Sequence, residues 1–278
     1  MRTLFLASAA LAVLAAPGCG PSAPASAPAF PDARLAEAAA RAARDAGGAE
    51  GVRRLDLGAP GCGLVLDGID ALASLEAVSI VTCGPADYRA LGGLPALRRL
   101  TIDQPALRDT SFLYRTPGLT ALVLTRSDVV DLRPVALMPM LERLTVLDTP
   151  LTDLAPLADA ARLTQLDLTD TYVRDLSPLA GATSLETLRL ARTRVRDLTA
   201  LTGLTRLVEL DLSGNGIGDV APLAANLSLG PQTRIDLTGN CLDLGDPATE
   251  AALGALTARG VRLEVGAQMP TCDDAYFG

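Results

Sequence analysis

Residues 163–190 read LTQLDLTDTYVRDLSPLAGATSLETLRL. Leu163, Leu166 and Leu168 return as Leu185, Leu188 and Leu190, a step of 22 residues. Working outward, the same frame appears before them as Leu97-Leu100-Ile102, Leu119-Leu122-Leu124 and Leu141-Leu144-Val146, and after them as Leu207-Leu210-Leu212. That makes six successive units without an insertion or deletion. Leu75-Val78-Ile80 adds one more in front, and Leu55-Leu57 stands one residue out of step. At the far end Ile235-Leu237 follows after 25 residues and Val261-Leu263-Val265 after 26. The second half of each unit repeats too: an apolar residue at Leu107, Val129, Leu151, Val173, Val195 and Ile217, then Asp109, Asp131, Asp153, Asp175, Asp197 and Asp219, with Asp87 one unit earlier. Pro134, Pro156, Pro178 and Pro222 complete the pattern.

A repeat of this length is one supersecondary unit that cannot bury its own apolar face, so copies must stack. Each x-L-x-L-x reads as a short strand with alternate leucines turned inward, and stacked copies form a parallel sheet at ~4.8 Å spacing. The Asp-Leu-x-Pro-Leu segment reads as a 3₁₀ or short helical turn on the opposite side. This predicts an α/β solenoid.

The frame resembles the leucine-rich repeat family in its 22-residue, internalin-like form, over about residues 30–265. The resemblance implies a horseshoe with a concave parallel sheet, a helical cap in front and a helix-strand cap behind. The entry matches: Asp32 can cap a first turn before the Ala-rich run to Ala43, and Gly47 and Gly48 can end it. At the exit, Asp246-Pro247 opens a helix to about Arg259 and Gly260 stops it. The expected division is 1–18 signal peptide, 19–29 tether, 30–54 front cap, 55–240 repeats and 241–278 rear cap.

Composition narrows the function. The chain has 278 residues, 49% of them apolar but only 3% aromatic, so its core rests on aliphatic side chains. It has no His, and all 24 basic residues are Arg. Histidine zinc sites, Ser-His-Asp or Cys-His catalysis and lysine chemistry therefore lack their residues. A net charge of −8 argues against a general nucleic-acid binder. No cofactor is expected, and no enzymatic activity.

Arg2 followed by the apolar run Leu4–Ala16 reads as an export signal, being shorter than the ~20 residues a spanning helix needs. Ala16-Pro17-Gly18-Cys19 resembles a bacterial lipobox, although Ala16 stands where Leu is usual. That resemblance implies lipidation of Cys19, with plain secretion (or a periplasmic protein) and an uncleaved anchor as the alternatives. Residues 20–29, rich in Pro, Ala and Ser, read as an extended tether. Gly20 after the Cys, in place of an inner-membrane retention Asp, implies the outer membrane. Four further cysteines remain, and the expected bridges are Cys62–Cys83 and Cys241–Cys272, one at each end. Four free buried thiols are the alternative, and the spacing is poor for a metal.

Three constellations compete for a role. The Asp column could bind cations, but capping of turn N–H groups explains it better. Arg189, Arg192, Arg194 and Arg196 could meet an acidic partner, or pair with carboxylates in neighbouring columns such as Arg126-Asp148-Asp170-Arg192 and Asp167-Arg189-Asp211-Asp236. Thr149, Thr171 and Thr193 occupy the position of Asn215 and Asn240, whose family role is to bond adjacent turns, and a Thr hydroxyl can do part of this. The concave face should present Arg99, Thr101, Arg143, Thr145, Gln165, Asp167, Arg189, Glu209, Asp211 and Arg234. It has arginines but no aromatic residue. The expected function is an envelope-tethered, monomeric interaction module that binds a protein or an envelope glycan through this face and touches the membrane only through its lipid. The alternative is a structural spacer without a dedicated ligand.

Overall fold

The computed structural model describes residues 30–58, 63–84 and 86–269. Ten strands form one all-parallel sheet in strict chain order. They are β1 (Arg54–Gly58), β2 (Ala77–Val81), β3 (Arg99–Asp103), β4 (Ala121–Thr125), β5 (Arg143–Leu147), β6 (Gln165–Asp167), β7 (Thr187–Arg189), β8 (Glu209–Asp211), β9 (Arg234–Asp236) and β10 (Arg262–Glu264). Register follows the repeat: Leu100, Leu122, Leu144, Leu166, Leu188, Leu210 and Ile235 lie side by side across seven strands. The last step departs from the sequence reading. Leu263 pairs with Ile235, 28 residues away rather than 26, because the rear cap crosses the core with a full helix instead of a short turn.

Parallel neighbours need a crossover, and each repeat makes it through a 3₁₀ turn, as at Arg133–Leu137, Ala155–Leu157, Ser177–Gly181 and Thr199–Gly203. The one after β8 is instead a short helix, α2 (Ala221–Ala225), which follows α1 (Ala33–Ala46) in the chain. Pro134, Pro156, Pro178 and Pro222 sit in the first turn, where a missing N–H costs nothing. The Asp column prepares those turns. Asp109, Asp131, Asp153, Asp175, Asp197 and Asp219 each accept the N–H two residues on at 2.8 Å, and Asp87 does so at 3.0 Å. Leu107, Val129, Leu151, Val173, Val195 and Ile217 close the core behind the sheet, all buried.

The buried polar column is uneven. Asn215 donates to Leu190 O at 2.7 Å and to Leu212 O, and Asn240 donates to Leu212 O at 2.8 Å and to Leu237 O, so each stitches two repeats together. Thr193 bonds Leu190 O and Asn215 Oδ1, and Thr171 bonds Leu168 O. The Thr149 and Ser127 hydroxyls are buried with no partner among the described residues, so the expected substitution of Thr for Asn fails at 149. One repeat earlier the slot falls on Pro105, and Gln104 turns inward instead. It donates to Gly84 O at 2.6 Å and accepts from the Tyr88 hydroxyl.

The ends are covered. In α1, Leu35 and Ala39 are buried against the first repeat. Its cap Asp32 accepts N–H groups from Arg34 at 2.8 Å, Leu35 at 3.4 Å and, 33 residues on, Val65 at 3.1 Å. At the rear, α3 (Pro247–Ala258), capped by Asp246, buries Ala252 and Leu256. Cys83 and Cys241 are each disulfide-bonded. Their expected partners Cys62 and Cys272, and the lipidation candidate Cys19, lie outside the described residues.

Candidate functional site

Period-2 alternation leaves every second strand residue facing away from the core. On β3–β5 these are Arg99, Thr101 and Asp103, Ala121, Val123 and Thr125, and Arg143, Thr145 and Leu147. On β6–β9 they are Gln165 and Asp167, Thr187 and Arg189, Glu209 and Asp211, and Arg234 and Asp236. The ten residues expected on the concave face thus share one surface. What each is free to do differs from one half to the other.

The charges facing out from β6–β9 are paired or capped internally. Arg189 bonds Glu209 at 2.8 Å and stands 3.6 Å from Asp167. The Glu209 carboxylate, then the Asp167 charge, favours its guanidinium. The expected partner Asp211 is occupied elsewhere: it accepts Ser213 N–H at 3.0 Å and the Ser213 hydroxyl at 2.7 Å. Asp167 likewise holds Thr169, and Asp236 holds Thr238. These carboxylates fold back at the ends of β6, β8 and β9, all three-residue strands, whereas β3–β5 run for five. Arg234 pairs with Glu264 at 2.6 Å.

The basic cluster is consumed in the same way. Arg192 pairs with Asp170 at 2.5 Å, and the Arg194 guanidinium lies 4.2 Å from the Tyr172 ring centre. Arg126 pairs with Asp103 rather than with the expected Asp148. Both arginines occupy left-handed turn positions and reach toward the preceding repeat, where Asp103 is the carboxylate that meets Arg126.

On β3 and β5, and at Gln165 on β6, the picture reverses. Arg99 and Arg143 are exposed and make no ion pair or side-chain hydrogen bond among the described residues, and Thr101, Thr145 and Gln165 make no side-chain hydrogen bond. Among the described residues no group of three or more Cys, Asp or Glu is placed to hold a metal ion, and no helix is long and apolar enough to cross a membrane. The Asp column is spent on backbone N–H groups. The Arg89 guanidinium and N–H hold Asp87 down at about 2, and the Ser111 and Ser177 N–H groups lower Asp109 and Asp175.

A family model described as leucine-rich repeats in two copies matches residues 183–225. The chain has the leucine-rich repeat fold. Its solenoid is similar to the crystal structure of internalin C2 from Listeria monocytogenes, with 27% identity and a TM-score of 0.64 over 72% of this chain and 91% of that one. In fold alone it is similar to a leucine-rich repeat protein of Leptospira interrogans, with 18% identity and a TM-score of 0.67 over 77% of this chain and 55% of that one. No curated protein matches this chain by sequence.

Sequence reasoning missed two features. Gln104 was hidden because the 22-residue register points to its neighbour Pro105. The division of the face was hidden because a charge column shows which residues are neighbours, not which carboxylates their own turns already use.

Proposed function

We propose that this leucine-rich repeat protein is a non-enzymatic interaction module, held at the cell envelope by a lipid on Cys19, whose concave sheet face binds a protein partner. One observation carries the reading. Arg99 and Thr101 on one side of β4, and Arg143, Thr145 and Gln165 on the other, have side chains without internal partners among the described residues, while the charged groups facing out from β6–β9 are used within the fold. Unused hydrogen-bonding groups on a rigid scaffold are what a recognition surface needs, since little ordering entropy remains to be lost. The similarity to a bacterial internalin supports the same class of role. The 19–29 tether and the Cys62–Cys83 and Cys241–Cys272 bridges belong to this proposal.

The test is crosslinking of the full-length protein in intact envelopes, set against a face-blocked variant (Thr101→Lys, Thr145→Lys, Gln165→Lys). A partner captured by the wild type and lost in the variant is the expected result. A partner kept by the variant moves the site off the face. The paired charges Arg189–Glu209 and Arg234–Glu264 favour a second reading, a structural spacer. Recovery of no partner above background would select it.

A further inference from the structure

The outward residues of β3–β5 form a pattern symmetric about β4. Register places Ala121 between Arg99 and Arg143, and Val123 between Thr101 and Thr145. The floor is therefore one small and one branched aliphatic side chain, and each wall is an arginine followed by a threonine. The two walls stand two strand spacings apart, about 9.6 Å between Cα atoms. That is room for one extended segment lying along β4.

The charge of this groove is anomalous for the molecule. The chain carries −8 overall. Of the arginines on outward strand positions, Arg54, Arg189 and Arg234 are paired with Asp56, Glu209 and Glu264. Among the described residues Arg99 and Arg143 are not, nor is Arg262 on the terminal strand. The carboxylate facing the groove at the end of β3, Asp103, is already neutralised by Arg126. Two unpaired guanidiniums thus flank Ala121 with no acid among the described residues competing for them.

We infer that this groove takes an acidic peptide segment, its Asp or Glu carboxylate held between Arg99 and Arg143 and its neighbouring small aliphatic side chain on Ala121 and Val123. The inference rests on the proposed function and names the partner's chemistry. Guanidinium forks match carboxylates bidentately, and acidic motifs are read by paired arginines. The threonine hydroxyls at the next pleat stand where an extended backbone would present its N–H and C=O groups. A peptide fits better than an acidic glycan because the floor is aliphatic and no aromatic ring stands on β3–β5 for a sugar to stack on.

The probe is a display library of random octapeptides panned on the full chain, with an array of uronic-acid oligosaccharides in parallel. Enriched peptides should share an Asp or Glu beside Ala or Val. Their binding should weaken with salt and fall roughly tenfold or more in Arg99→Glu/Arg143→Glu. The milder Arg99→Gln/Arg143→Gln pair, checked for native circular dichroism, guards against misfolding and should show the same direction. Charge reversal at the exposed Arg41 on α1, away from the sheet face, should leave binding unchanged. Enrichment without acidic bias, no enrichment, or equal binding by both groove variants would overturn the inference, and binding of the uronic acids alone would reassign the groove to a glycan. An envelope partner lost in the face-blocked variant but kept by Arg99→Glu/Arg143→Glu would leave the proposed function standing and remove only this one.

Discussion

The buried hydroxyl of Thr149 was desolvated on folding and has no partner among the described residues, whereas that of Thr193 bonds both Leu190 O and Asn215. The two residues occupy the same place in repeats 44 positions apart, so they offer a matched pair. A buried, unpaired hydroxyl costs free energy that an isosteric methyl does not, while removing one partner of a made bond strands the other. Thr149→Val is therefore expected to raise the unfolding free energy by about 1 kcal/mol and Thr193→Val to lower it by about 1–2 kcal/mol. Urea denaturation of both variants decides it, and equal effects would show that the column does not act through hydrogen bonds. The adjacent turn position shows a related local economy. Arg126, Asp148, Asp170 and Arg192 hold φ values of 51–58°, and the same place is Gly in the later repeats, at Gly214 and Gly239 with φ of 65° and 64°. Left-handed backbone is strained for side-chain-bearing residues and free for glycine. The ion pairs of Arg126 and Arg192 offset part of that strain.

Among the elements, α1 depends most on a single residue. Asp32 caps its first turn, bonds the Arg34 guanidinium at 2.8 Å and accepts the Val65 N–H, and Arg34 reaches Gly63 O at 2.6 Å. The Arg34 guanidinium, together with the three N–H groups, holds the Asp32 carboxyl well below its ordinary range against the opposing effect of burial. A carboxylate depressed in the folded state contributes stability that is fully present above its unfolded value, near 3.9, and is lost as pH falls toward the folded one. Asp32→Ala should then cost about 1–2 kcal/mol at neutral pH, with the gap to wild type narrowing as pH drops below about 4. Thermal melts across that range report it. A gap independent of pH would mean that the loss is packing, not charge. Asp87 and Asp131, each held low first by the arginine two residues on, add acid sensitivity of the same sign along the turns.

Over the whole molecule, stability is a chain of nearest-neighbour contacts, because each repeat touches only the next. Leu166 is fully buried at the centre of the stack, in register with Leu144 and Leu188. Leu166→Ala should cost about 2–5 kcal/mol. Its loss of amide protection should centre on β5–β7 rather than on the caps. Hydrogen exchange would show this, and an even loss along the solenoid would argue for one cooperative unit instead.

A strict 22-residue period made the fold legible before any coordinates. It determined the parallel sheet, the inward leucines and the Asp-capped turns, because each is a local consequence of residue type at fixed spacing, while Asp32 and Asp246-Pro247 marked the two cap helices. The surface on which a partner would sit was legible as well, since alternation alone decides which side chains face out. Which of those side chains remain available was decided only in three dimensions. Arg189 and Arg143 look alike in sequence, yet one is spent on Glu209 and the other is not. Arg126 bypasses its column neighbour for Asp103, and the rear cap, crossing by a helix, shifts the last strand's register by two residues. Charge pairing acts across repeats through side-chain reach and turn geometry, and a one-dimensional period carries neither.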